Sequence, residues 1–358
     1  MRFAIALVAA ALTACVSVHA MNTYFDASKP HRGAEGFRNN YEHAGRASFW
    51  AWKWEQWRTG VPRTPEGGWH FPLERPALLA PENRGHDPAV TWIGHATVLL
   101  QLDGVNILTD PMFSNRASPL SFAGPERVAP PALRIDELPH IDIVLISHNH
   151  YDHLDAASVR ALAAQPGGPP LFIVPLGIKG WLADAGISHA VELDWWQSTR
   201  VGAVEVVFTP VQHWSGRSLG DRMETLWGGY AVFASGFQWF FAGDTAYSKD
   251  FADIHERFAA RHGAGRGFDL ALLPIGAYEP RWFMKTQHVD PSEAVRIHRD
   301  LGAEQSIGIH WGTFELTDES LDEPPRALAR AAREAGLADD AFTVIAIGAT
   351  RRFAARTR

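Results

Sequence analysis

Cysteine is almost absent from this chain of 358 residues. Cys15 is the only one, so no disulfide can form within the chain and the fold must rest on packing and bound ligands. Basic runs are missing as well. With 33 Lys and Arg against 40 Asp and Glu the formal charge is −7, and the lack of a cationic stripe disfavours nucleic acid as a substrate. The apolar run at residues 3–12 is too short to span a bilayer. Neither an internal repeat nor a low-complexity tract interrupts the sequence. Hydrophobic residues make up 46%, enough core for one large catalytic domain or two small ones.

Histidine, by contrast, is plentiful at 17 residues, and it is concentrated. The run Ser147-His148-Asn149-His150-Tyr151-Asp152-His153-Leu154-Asp155 follows directly on the apolar stretch 141–146. His148 and His150 are two apart, so on extended backbone leaving a strand they point to one side and can share a cation. Asp152 and His153 come after the turn and face a second cation. Asp155 is placed to cap a helix that begins at Ala156. The alternative is a His-rich surface loop; the density of ligand-type residues at these spacings favours metal.

A two-metal site needs more ligands, and three further segments supply them in the same setting. Residues 204–210 read as a strand followed by Gln212-His213-Trp214. Residues 238–243 read as a strand ending at Asp244-Thr245, and 305–309 as a strand ending at His310-Trp311-Gly312. Each delivers its His or Asp where the strand stops, which is where sheet-based enzymes place their chemistry. Singly, His213 and His310 could be buried, hydrogen-bonded histidines and Asp244 a turn or capping residue. Together they complete two sets of nitrogen and oxygen ligands, the type zinc takes when no thiolate is present. Iron or manganese could also occupy such a set.

With these motifs assembled, the chain resembles the metallo-β-lactamase superfamily and, within it, the N-acylphosphatidylethanolamine-hydrolysing phospholipase D family. The motifs that carry the match are Thr91-Trp92-Ile93-Gly94-His95, Leu108-Thr109-Asp110-Pro111, the His148 to Asp155 run and Glu192-Leu193-Asp194-Trp195-Trp196. They continue with Thr209-Pro210-Val211-Gln212-His213-Trp214, Ala242-Gly243-Asp244-Thr245, the stretch from Pro274 through Tyr278 to Pro291, and Ile309-His310-Trp311-Gly312. The resemblance implies an α/β fold, a four-layer αβ/βα sandwich, over residues 89–351. It also implies two zinc ions, one held by His148, His150 and His213, the other by Asp152, His153 and His310, with Asp244 bridging. True β-lactamases of the superfamily often use a cysteine at the second metal; none is present here to do so.

The activity implied is hydrolysis of N-acylphosphatidylethanolamine to N-acylethanolamine and phosphatidic acid. Asp152 would orient the attacking hydroxide as well as bind metal, and His288 and Tyr278, on the long loop, would contact phosphate or assist the leaving group. His288 could instead simply close the turn before Asp290. His95 and Asp110 are read as groups that orient ligating histidines. Two other readings remain open: a hydrolase of a soluble lactone or phosphate ester, and a surface lipoprotein that keeps metal for stability and binds a partner. Whether the chain forms a homodimer is left open.

The first 20 residues suit a secretory signal. Leu12-Thr13-Ala14-Cys15 resembles a lipoprotein cleavage box that would leave Cys15 lipidated at the cell envelope. A cut after Ala20 would instead give a soluble periplasmic protein, and a start at Met21 a cytoplasmic one. Residues 21–88 form an extension rich in Pro, Gly, Arg and Trp. In it, Phe49-Trp50-Ala51-Trp52-Lys53-Trp54-Glu55-Gln56-Trp57 aligns Trp50, Trp54 and Trp57 if helical, or Trp50, Trp52 and Trp54 if extended. Tryptophans beside Lys53 and Arg58 suit a membrane surface or an acyl-chain groove; packing of the indoles on the catalytic domain is the alternative. Downstream, Asp290-Pro291-Ser292-Glu293 predicts a capped helix running to Leu301. Residues 325–335 predict a second helix and 342–347 a final strand.

Overall fold

Short runs of β-branched and aromatic residues, bounded by glycine or polar turns, form strands through most of the chain. The computed structural model describes residues 22–41, 47–62, 64–80, 87–218, 220–263 and 265–355. Cys15, Met21 and the expected leader at residues 1–20 lie outside them.

A two-stranded pair, β1 (Arg32–Gly33) and β2 (Gly36–Phe37), is followed by helix α1 (Phe49–Thr59). One seven-stranded sheet then takes β3 (Ala89–Gly94), β4 (Thr97–Leu102), β5 (Val105–Thr109), β6 (Ile143–Leu145), β7 (Leu171–Pro175) and β8 (Ala190–Leu193). The second takes β9 (Ser198–Val201), β10 (Val204–Thr209), β11 (Gly229–Ala234), β12 (Phe237–Phe241), β13 (Leu270–Pro274), β14 (Gln305–Ile309) and β15 (Phe342–Thr343). A last strand, β16 (Thr350–Arg352), returns to pair with β3, so the first sheet runs β16-β3-β4-β5-β6-β7-β8 and the second β15-β14-β13-β12-β11-β10-β9. Pairing is parallel from β5 to β8 and from β12 to β15, and antiparallel elsewhere.

Both faces of each sheet are covered, which is why the strands read as near-continuous apolar runs. The period of two divides the first sheet cleanly: Trp92, Val98, Leu100, Ile143 and Leu145 point inward to the second sheet, while Ile93, Leu99, Val144 and Phe172 point outward. The outward set packs on helices α2 (Ala156–Ala163) and α3 (Ile178–Asp184). The second sheet is covered by α4 (Asp250–His262), α6 (Pro291–Asp300) and α7 (Glu323–Glu334), with a short α5 (Arg281–Met284) between. This is the four-layer αβ/βα sandwich expected.

Several local expectations hold. Asp155 caps α2, accepting from the Ala157 N–H, and Asp290 caps α6 in a full capping box with Glu293. Helix α7 begins two residues before the expected position, at Glu323; its prolines fall in the first turn, where no N–H is needed. The expected final strand at 342–347 is a correction. Only Phe342 and Thr343 pair with β14, after which the chain crosses to the first sheet. Gly348 makes that crossing: at φ +91° a Cβ there would sit 1.9 Å from the Glu74 carbonyl oxygen, so the close approach of the two backbones admits no side chain.

The Trp-rich segment is the helix α1, and it divides its indoles. Trp52 is buried, stacks on Phe283 at 4.9 Å and donates its N–H to Asp318; Gln56 also donates to Asp318. Trp50, Trp54 and Trp57 are 78%, 62% and 75% exposed. Upstream, Lys29, His31 and Arg32 converge on Asp194, whose carboxylate is wholly buried, at 2.6, 2.7 and 2.8 Å. Among the described residues no helix is long and apolar enough to cross a membrane.

Candidate metal centre

The residues singled out for ligation lie where β6, β10, β12 and β14 end, and the two sheets bring them together. His148 and His150 leave β6, His213 follows β10, Asp244 follows β12 and His310 follows β14. Gly243, at φ +61°, turns the chain into Asp244; a Cβ there would stand 2.5 Å from that of Ser147. His95, Asp110, Ala277 and His310 also hold positive φ, backbone strain of the kind that collects at functional sites.

Two ligand groups result. Nε2 of His148 lies 2.8 Å from Nδ1 of His150, and Nε2 of His213 is 3.4 Å from the same atom. In the second group, Nε2 of His310 is 3.2 Å from Nε2 of His153, and each is 3.3 Å from Oδ2 of Asp152. Asp244 stands between. Its Oδ2 is 3.1 Å from His153 and 3.9 Å from both His148 and His213, while its Oδ1 is 3.1 Å from His310. A tetrahedral cation with bonds of ~2.0–2.1 Å sets its ligand atoms roughly 3.3 Å apart, the spacing seen in the second group. Nitrogen facing nitrogen at such range, with Asp244 Oδ1 and His288 Nδ1 buried without a hydrogen-bond partner, is the arrangement a cation satisfies. The donor set therefore fits metal.

Protonation agrees. Burial pushes His150 and His213 down to about 3 and lowers His148, so these imidazoles are neutral and able to ligate. Burial also opposes charge at His310 and His153, but the carboxylates beside them prevail: Asp244 and Asp152 raise His310 to about 9, and with Asp110 they raise His153. Asp152 and Asp244 are held well below the usual carboxylate range despite burial, chiefly by His153.

Around the ligands sits a second set of contacts. Asp110 accepts from His153 Nδ1 at 2.6 Å and from the Ser147 hydroxyl at 2.6 Å, and that hydroxyl is 2.9 Å from His148 Nδ1. Asp110 thus reaches two of the candidate ligand histidines, His153 directly and His148 through Ser147. His95 does something other than orient a histidine: its Nε2 is 3.0 Å from Asp152 Oδ2, so it steadies the carboxylate, while its ring packs 4.1 Å from that of His310. His213 Nδ1 meets the Gln287 carbonyl at 2.8 Å, and its backbone exchanges hydrogen bonds with the Asn39 side chain. The extension therefore touches the site, a link between distant segments that no local pattern announces.

The ligands open into a cavity of about 810 Å³. His150, Asp152, Asp244 and His288 line it, together with Tyr151, Trp214, Arg217, Arg222, Phe49, Trp52, Phe283 and Met284. Of the two loop residues expected at the chemistry, His288 is present, its Nδ1 3.9 Å from Asp244 and its pKa pushed down to about 3 by burial. Tyr278 is buried outside the lining, its backbone N–H turned to Glu319 and its hydroxyl pKa raised by burial and by the nearby Glu319. Tyr151, Arg217 and Arg222 were not foreseen from the sequence; Tyr151 lies inside the histidine run, and the two arginines follow His213 closely enough to have been considered.

Two facing sheets with His and Asp gathered at their strand ends define a metal-dependent hydrolase. Residues 105–311 match the model of the beta-lactamase superfamily domain. The chain is 41% identical over 272 residues to N-acyl-phosphatidylethanolamine-hydrolyzing phospholipase D 1 of Caenorhabditis elegans, covering 72% of this chain and 74% of that one. It is 39% identical over 269 residues to the mitochondrial N-acyl-phosphatidylethanolamine-hydrolyzing phospholipase D of Saccharomyces cerevisiae, 73% of this chain but only 56% of the yeast protein's length. Among solved structures, Igni18, a metallo hydrolase from Ignicoccus hospitalis, superimposes with a TM-score of 0.55 at 22% identity, covering 75% of this chain and 98% of that one. The chain belongs to the β-lactamase superfamily and, within it, to the family of N-acylphosphatidylethanolamine-hydrolysing phospholipases D.

Proposed function

We propose that the protein is a two-zinc phosphodiesterase that hydrolyses N-acylphosphatidylethanolamine at a lipid surface, releasing N-acylethanolamine and leaving phosphatidic acid. The observation that carries this reading is the cavity itself, lined by His150, Asp152, Asp244 and His288 together with Phe49, Trp52, Phe283 and Met284. One zinc would be held by His148, His150 and His213, the other by Asp152, His153 and His310, with Asp244 shared. Bound there, the metals supply Lewis-acid stabilisation of phosphoryl oxygen and a hydrolytic nucleophile at neutral pH.

The chain's own groups do the rest. Asp152, steadied by His95, faces the cavity and orients the attacking hydroxide as well as binding metal. His288, neutral through burial, donates its N–H to the phosphoryl oxygen. Water oxygen bonds to phosphorus, the bond from phosphorus to the N-acylethanolamine oxygen breaks, and the proton passes to that leaving oxygen. Tyr278, outside the lining, is assigned no contact with substrate.

A lipid surface is favoured by where the exposed apolar side chains lie. Phe49, Trp50, Trp54 and Trp57 on α1, Leu120 and Phe122 on the loop beyond Ala117, and Trp282 on α5 all belong to segments that contribute to the cavity wall. Tryptophan with Lys53 and Arg58 suits the headgroup zone. Lipidation at Cys15, placing the protein in the cell envelope, completes the proposal; mass spectrometry of the mature N-terminus in wild type and Cys15→Ser tests it.

The direct test of the activity uses metal-replete protein lacking residues 1–20 on N-acylphosphatidylethanolamine in mixed micelles. Release of N-acylethanolamine that Asp152→Asn and His310→Ala both abolish is expected. Turnover of a soluble lactone or phosphate ester with none of the lipid would overturn the substrate assignment.

A further inference from the structure

The segment 149–154 carries three of the residues assigned to metal, His150, Asp152 and His153, yet it lies in neither strand nor helix, so no ladder of backbone bonds holds its shape. Its internal ties are the His153 and Leu154 N–H groups, both donating to the His150 carbonyl. The carbonyls at its two ends are satisfied from outside. Nη1 of Arg217 donates to the Asn149 carbonyl at 2.7 Å and to the Leu154 carbonyl at 2.8 Å. One nitrogen therefore spans the whole segment.

The rest of Arg217 is committed to the same task. Its guanidinium lies 3.9 Å from the Tyr151 ring centre and 5.1 Å from that of Trp181. The Tyr151 hydroxyl donates to the Arg217 carbonyl at 2.8 Å, and the neighbouring Gly216 N–H donates to the Asn149 side chain at 2.8 Å. Arg217 stands four residues after His213, so the strap joins the ligand loop of one sheet to that of the other.

We infer that Arg217 is a positioning residue that holds segment 149–154 in the shape that retains metal, acting through backbone carbonyls and not through substrate. The alternative role, general support of the fold, predicts a different outcome. A fold-supporting arginine lowers overall stability without a specific effect on metal. A clamp on the ligand loop lowers metal retention in a protein that stays folded, and is restored by any group that returns the donor to its place.

The experiment is zinc content per chain, by elemental analysis, after dialysis of full-length wild type, Arg217→Ala and Arg217→Lys against graded EDTA, with circular dichroism on each sample. Arg217→Ala is expected to lose zinc at about 10- to 100-fold lower EDTA, the effect typical of lost outer contacts at metal sites. Arg217→Lys, whose ammonium can donate to both carbonyls but cannot stack as a plane, should fall between. Because Arg217 lines the cavity, methylguanidinium can enter the space left in Arg217→Ala and should restore retention. Zinc retention equal to wild type in Arg217→Ala overturns the inference; so does loss that neither lysine nor methylguanidinium repairs. No substrate enters the measurement, so failure of the phospholipase assignment would leave this result intact.

Discussion

Removal of the Asp194 carboxylate should undock the N-terminal extension and, through it, loosen the metal site. Asp194 is wholly buried and accepts from Lys29, His31 and Arg32, whose side chains are 37%, 12% and 16% exposed. Taking away one partner of a buried ion pair costs about 3–5 kcal/mol. The partial exposure of the cations lets water recover some of that, so Asp194→Ala is expected to cost about 3 kcal/mol. Asp194→Asn keeps the shape and one acceptor but loses charge-assisted bonds, for about 2 kcal/mol. Burial raises the Asp194 pKa, but hydrogen bonds from His31 and Lys29 outweigh it and hold the carboxyl well below the usual range. A depressed folded pKa means the stabilisation is fully present above about pH 4 and is lost as pH falls toward the folded value. Urea unfolding of wild type and Asp194→Asn should therefore differ at pH 7 and converge as the solution is acidified below about 4. Limited proteolysis at pH 7 should cut within residues 22–41 of Asp194→Ala first. Unfolding midpoints that match wild type at pH 7, or a gap that does not narrow in acid, would refute the latch.

Asp110→Asn leaves His153 and Ser147 with a weaker partner and should reduce zinc affinity about 10- to 100-fold, read by chelator competition. Serine at Trp50, Trp54 and Trp57 together should weaken vesicle binding and raise KM on micellar lipid while leaving hydrolysis of a soluble aryl phosphodiester unchanged, because none of the three lines the cavity, to which that helix contributes Phe49 and Trp52. Gly348→Ala should destabilise by about 2 kcal/mol or more in urea unfolding, since its methyl meets the Glu74 carbonyl and its φ is positive. Asn39→Ala should raise the rate of zinc loss without altering the α-helical signal, because it frees the His213 backbone, while the Trp227 indole N–H that it also accepts keeps the Val211 carbonyl.

What could be read from residues was mostly local. The histidine run after an apolar stretch, the His or Asp at each strand end, and the capping pairs at Asp155 and Asp290 are short-range signals, and the structure places them as expected. Asp194 was visible as part of a motif but not as an anchor, because its partners lie 162 to 165 positions away. Nor could helical periodicity in α1 say which indole would be buried; the stacking surface on Phe283 and the acceptor Asp318 decide that. Residues 344–347 keep an apolar composition while changing sheets, so the local pattern extends the strand past Thr343, where its pairing ends. His95 meets the carboxylate of Asp152, a partner chosen by side-chain packing that sequence spacing does not encode.

The most direct test of the central claim is hydrolysis of N-acylphosphatidylethanolamine by zinc-loaded protein in oxygen-18 water, with both products analysed by mass spectrometry. Attack at phosphorus predicts that the label enters phosphatidic acid and that N-acylethanolamine is released unlabelled. Label in N-acylethanolamine, or no lipid product from protein that holds its full zinc, would contradict the account.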